Sequence, residues 1–169
     1  WDSVKEDANE VQRIIIGSAH ENPTKLTAID WLDVFVDQQQ QISYGARKNS
    51  YWCLEVDNAG EYEIELRRWP KETNASINGV PNALGGRKAK TYALPITQAS
   101  IYIGGLELRS ISDKNPYGFE GLTKNVNSED KFIRFNVNLK KGPIYLHTFF
   151  HLDEGSSTRG ADQNLIGAY

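Results

Sequence analysis

The chain predicts an all-β fold: an antiparallel β-sandwich, jelly-roll-like, with long loops and at most one short helix. Three observations carry that expectation. From Gly60 to Trp69, Tyr62, Ile64 and Leu66 alternate with Glu61, Glu63, Glu65 and Arg67, the period of two of a half-buried strand. From Lys131 to Leu152, two further alternating runs flank Lys140-Lys141-Gly142-Pro143. Between such runs, glycine, proline and asparagine recur at spacings suited to short strands rather than to helices.

Taken in order, residues 1–12 are charged and polar, and read as a linker or a helix end belonging to something upstream. Residues 13–169 read as one sandwich domain. Arg13-Ile14-Ile15-Ile16-Gly17 is β-branched and suits a buried strand. His20-Glu21-Asn22-Pro23 marks a loop, because the residue before proline avoids the helical region. Leu26 to Val36 is apolar without a clean period, and Gln38 to Gln41 is a short glutamine patch. Tyr51–Val56 and Glu61–Trp69 read as strands joined by Asp57-Asn58-Ala59-Gly60, a sequence with hairpin chemistry. Pro70 ends the second, since it has no N–H to donate.

Asn78-Gly79 and Gly85-Gly86 punctuate a long loop, after which 91–94, 100–103 and 106–111 are short strand candidates. A polar excursion runs from Ser112 to Asp130. The closing pair reads as the clearest hairpin. Ile133, Phe135, Val137 and Leu139 share one face of its first strand. In its second strand, Ile144, Leu146, Thr148, Phe150 and Leu152 oppose Tyr145, His147, Phe149 and His151.

With 169 residues, 39% of them hydrophobic and 24% charged, the chain suits one folded domain with a real core. A net charge of −3 with both signs interspersed excludes a dedicated nucleic-acid binder, which gathers Lys and Arg on one face. No apolar run approaches the roughly 20 residues of a membrane span. The chain starts at Trp1 and contains no methionine, so it is expected to be part of a longer protein. Its one cysteine, Cys53, lies in a strand run and reads as a buried thiol acting as a small hydrophobe.

Several segments, in order, resemble the C-terminal portion of the formylglycine-dependent sulfatases, the arylsulfatase family. They are Trp1-Asp2-Ser3-Val4 with Ile15-Ile16-Gly17-Ser18, then Glu21-Asn22-Pro23 with Leu26-Thr27 and Asp30-Trp31. Tyr51-Trp52, Gly60-Glu61-Tyr62 and Leu66-Arg67-Arg68-Trp69-Pro70 form the most specific block. Gly142 to Phe150 and Gly167-Ala168-Tyr169 resemble the closing strands. The resemblance implies a non-catalytic accessory domain of a sulfuric ester hydrolase that is periplasmic or extracellular. Its partner would be the catalytic sulfatase domain of the same chain, which supplies the calcium ion and the formylglycine. No catalytic residue, metal ligand or cofactor is expected in these 169 residues. Cys53 is followed by Leu54-Glu55-Val56, whereas the family's nucleophile arises from Cys-x-Pro/Ala-x-Arg. Asp30, Asp33 and Asp37 are the nearest approach to a calcium cluster and read as solvated acids.

Six residues stand out as candidates for substrate binding or for docking onto that partner. Arg67 and Arg68 carry guanidinium forks that match sulfate or carboxylate, and the Trp69 indole can stack on a pyranose ring. The competing structural reading packs Trp69 at the sandwich edge and pairs the arginines with Glu61, Glu63 or Glu65. Tyr145, His147 and His151 share one strand face, which suits packing under a loop or partner, or sugar stacking if open. Four residues along a strand span about 13 Å, so the two histidines cannot share a metal. The alternative function is therefore a carbohydrate-binding jelly roll for a sulfated or acidic glycan. Asn74-Ala75-Ser76 fits the glycosylation pattern, which recurs by chance and is not carried further.

Overall fold

A computed structural model describes residues 11–32, 39–82, 91–104, 120–153 and 165–167. The strands are β1 (Ile14–Ile16), β2 (Tyr51–Val56), β3 (Gly60–Leu66), β4 (Ile96–Gly104), β5 (Glu120–Asn125), β6 (Ile133–Leu139), β7 (Gly142–Leu152) and β8 (Leu165–Gly167). One α-helix among the described residues, α1 (Gln39–Tyr44), grows from the glutamine patch. Six strands form a sheet in the order β1-β2-β7-β4-β5, with β8 pairing β7 beyond the end of β2. β3 and β6 form a second, two-stranded sheet. The all-β, two-sheet expectation holds, with one parallel pairing, β1 on β2.

Both expected hairpins are instead corners between sheets. β2 pairs with β7 and β3 with β6, so Asp57-Asn58-Ala59 and Lys140-Lys141 each carry the chain from one sheet to the other. The two corners lie side by side, since Val56 faces Gly142 and Gly60 faces Leu139. Lys141 Nζ reaches Asp57 Oδ1 across them at 3.3 Å. Gly142, at φ +124°, supplies a backbone conformation that side-chain-bearing residues rarely adopt. Turn residues give a chain reversal either way; only the distant partner decides whether the flanking strands pair with each other.

The core lies between the sheets. Leu66, Ile133 and Phe135 of the small sheet meet Trp52, Leu54, Ile101, Leu146 and Phe150 of the large one. Outward on the small sheet, Glu63 and Glu65 pair with Arg134 at 3.0 and 3.2 Å, a cross-strand charge ladder.

Two other strand expectations change. Residues 91–94 do not join a sheet: the Tyr92 amide donates to Ser43 at the end of α1 and the Leu94 amide to Asn78, so carbonyls outside the sheets take the bonds a strand partner would. The polar excursion instead contains β5, an edge strand paired with β4 from Gln98↔Asn125 to Ile103↔Glu120. At the ambiguous 26–36 stretch, a 3₁₀ turn covers Ala28–Asp30 and Leu32 bridges to Tyr51. Residues 1–10, 33–36 and 106–111, which include expected linker and strand segments, lie outside the described residues.

Segments far apart in sequence are tied together locally. The Trp52 indole donates to the Thr27 carbonyl at 2.8 Å and meets Trp31 edge-on, with ring centroids 5.6 Å apart. Gly17, at φ +71°, sits beneath the Tyr62 ring, where any Cβ would overlap the phenol. Tyr62 donates in turn to the Asn58 carbonyl at 2.6 Å, and Asn58 to the Gly17 carbonyl at 2.9 Å. A three-residue lock thereby joins the end of β1 to the first corner.

Candidate functional site

The six candidate residues fall into two groups on different sheets. Arg67, Arg68 and Trp69 follow β3 in the small sheet, whereas Tyr145, His147 and His151 lie on β7 in the large one.

Arg68 is 1% exposed. Its Nη1 donates to the carbonyls of Ile77 at 3.2 Å and Gly79 at 3.4 Å, and its Nη2 to that of Tyr92 at 2.6 Å. The guanidinium lies 4.4 Å from the centroid of the Trp69 ring, and the indole N–H also donates to Gly79, at 3.2 Å. β3 ends at Leu66, earlier than the expected Trp69, and a 3₁₀ turn, Lys71–Thr73, follows Pro70. The residue is a clamp: one fixed fork satisfies the carbonyls of Ile77, Gly79 and Tyr92, none of which lies in a helix or strand. This use of Arg68 differs from the glutamate pairing expected for it. Its position after an alternating strand gave no sign that its charge would turn inward.

Arg67 does pair as that reading expected, with its Nε 2.6 Å from Glu65 Oε1. Its guanidinium also lies 4.7 Å from the centroid of Phe132, whose ring is approached by Arg134 as well, at 5.0 Å. Partial burial of Glu65 raises its pKa, but hydrogen bonds and charge from Arg67 and Arg134 outweigh it, leaving the carboxyl below its ordinary value.

The second group belongs to a larger constellation on the outer face of the six-stranded sheet. Tyr51 and Tyr102 flank His147 on β2 and β4. Ring centroids step along the face from Tyr145 to Tyr51 at 5.5 Å, to His147 at 4.9 Å and to Phe149 at 6.4 Å. His151 lies 6.4 Å from Phe149, and Tyr102 meets the same ring edge-on at 5.6 Å. At one end Arg13 stacks 5.0 Å over Tyr145 and donates to its hydroxyl at 3.2 Å. At the other, Ser100 Oγ lies 2.7 Å from His151 Nε2 and 2.7 Å from Thr123 Oγ1.

Tyr51, His147 and Phe149 are 4%, 1% and 2% exposed, so the middle of the row offers no open ring face for stacking. Tyr145, Tyr102 and His151 are half-buried. Both ring nitrogens of His147 are buried without a hydrogen-bond partner. Burial pushes its pKa down to about 4, and burial lowers that of His151 as well, so both rings are neutral at pH 7. The imidazole–hydroxyl pair can relay a proton, but Ser100 is fully buried and cannot meet a substrate as it stands.

Arg13, Tyr51, Ser100, Tyr102 and Thr123 were not singled out from sequence. Tyr51, Ser100 and Tyr102 join the site through strand pairings to β7, Thr123 through the pairing of β5 with β4, and Arg13 through its contact with Tyr145. Cys53 is buried in β2, as its strand context suggested. Asp30 accepts from the Thr27 amide at 3.0 Å and the Thr27 hydroxyl at 2.8 Å, closing the 3₁₀ turn, while Asp33 and Asp37 lie outside the described residues. Among the described residues, no three of His, Cys, Asp and Glu gather closely enough to hold a metal ion. Likewise, no helix among them is long and apolar enough to cross a membrane.

Comparison with family models, with curated proteins and with solved structures found no match.

Proposed function

We propose that this chain is the non-catalytic accessory β-sandwich of a formylglycine-dependent sulfatase, placed beside the catalytic domain to complete or shield its cleft. One observation carries the reading: the residues behind the family resemblance are spent on architecture. Arg68 and Trp69 are buried and bonded to loop carbonyls. Gly17 and Tyr62, from two separate resembling segments, interlock, and so do Thr27 and Trp52. Segments that resemble one family in order, and also pack on one another, are what a shared domain would require. In this reading, calcium and formylglycine belong to the catalytic domain, and the protein works outside the cytoplasm, in the periplasm or the medium.

The experiment is made on the full-length protein encoded by the source gene. It should contain Cys-x-Pro/Ala-x-Arg upstream of Trp1, carry an aldehyde at that cysteine and hydrolyse an aryl sulfate. The 169-residue chain alone should not. A full-length protein with no such motif would end the proposal.

A further inference from the structure

The outer face of β7 contains a buried group that the proposed function does not use. His147 sits at the centre of the six-stranded sheet, between Tyr51 and Tyr102 across the strands. Its ring lies parallel to Phe149, within 9°, and 4.9 Å from Tyr51. A buried imidazole normally bonds through at least one nitrogen; here neither does. Aromatic neighbours tolerate a neutral ring. They do not solvate an imidazolium that has no acceptor for its two N–H groups.

The described strands around it also present no compensating charge beside the ring. Among the described residues, Tyr51 and Cys53 face this side from β2, and Tyr102 from β4. On β7 itself, Tyr145 carries the Arg13 guanidinium, a like charge, and His151 is engaged with Ser100. The one described carboxylate on this face of β2 and β7 is Glu55, four residues along β2 from Tyr51, a distance of about 13 Å.

We propose that His147 is an acid-sensitive keystone, closing the outer face of the central strand while neutral and destabilising the sandwich when protonated. The inference is independent of the sulfatase reading, since it rests on the stack and on the unpaired nitrogens alone.

The direction follows from linkage. The folded-state pKa is about 4, against about 6.5 for an unperturbed ring. A depressed histidine pKa means stability that is fully present above pH 6.5 and is lost as pH falls towards 4. For this one group, the unfolding equilibrium constant should rise about twentyfold between pH 7 and pH 5.

Two measurements test the proposal. In denaturant titrations at pH 7 and pH 5, the unaltered chain should show at least that rise, since His151 is lowered as well, and His147→Phe should remove the His147 share of about twentyfold. Should the variant not fold, proton NMR of the unaltered chain still decides: the His147 ring should titrate near pH 4. A ring titrating near 6.5, or a His147→Phe variant that keeps the full pH dependence, would overturn the proposal.

Discussion

The two faces of the six-stranded sheet both bury side chains at their centre, yet by different chemistry. On the inner face, Leu54, Ile101, Leu146 and Phe150 belong to the apolar core shared with the small sheet. On the outer face, Tyr51, Tyr102, Tyr145, His147 and His151 form a row of rings, most with a polar atom, ending in Arg13 and in Ser100. The inner face is held by area removed from water, and volume matters most there. The outer face is held by ring geometry and by the protonation state of its imidazoles. A single strand, β7, thus carries a pH-indifferent side and a pH-sensitive side.

That contrast can be broken by experiment. The largest effect is expected from Phe150→Ala, a cavity in the inner core costing about 3–5 kcal/mol. This loss, measured by denaturant titration, should be the same at pH 7 and pH 5; a loss that changed with pH would mean the two faces are not independent. A smaller effect is expected from Ser100→Ala, which removes the hydroxyl between His151 and Thr123 and should cost about 1 kcal/mol. Its His151 ring, left with one partner fewer, should show a changed NMR titration midpoint, while the His147 midpoint stays in place. The smallest belongs to Lys141→Ala. The lysine and Asp57 are both well exposed, so the bond between the corners should contribute under about 1 kcal/mol and fade with added salt.

Much of the strand content was legible because period-two alternation is a local signal. β3 and β6 present the inward residues that the alternation assigns: Ile64 and Leu66, Ile133 and Phe135. Pairing was not legible. Asp57-Asn58-Ala59-Gly60 and Lys140-Lys141-Gly142-Pro143 have turn chemistry that serves a hairpin and a corner equally, and long-range register chose the corner in both places. β5 was missed because Glu-Gly-Leu-Thr-Lys-Asn is polar, as an edge strand can afford to be. For the candidate site, the row Tyr145, His147, Phe149 and His151 was visible on one face. Its closure by Tyr51 and Tyr102 needed two strands from elsewhere. Arg68 is the sharper lesson: sequence shows an arginine with chemistry to offer, and only the fold shows that three carbonyls take it.

The central claim, that the Arg-Arg-Trp-Pro turn builds the domain rather than binding a ligand, is tested most directly by Arg68→Lys. Lysine keeps the charge but cannot span the carbonyls of Ile77, Gly79 and Tyr92 from one planar group. The account predicts a loss of about 2–4 kcal/mol in denaturant titration, as expected when a buried charge loses its partners. A variant of unchanged stability that instead lost binding to a sulfated glycan would contradict it.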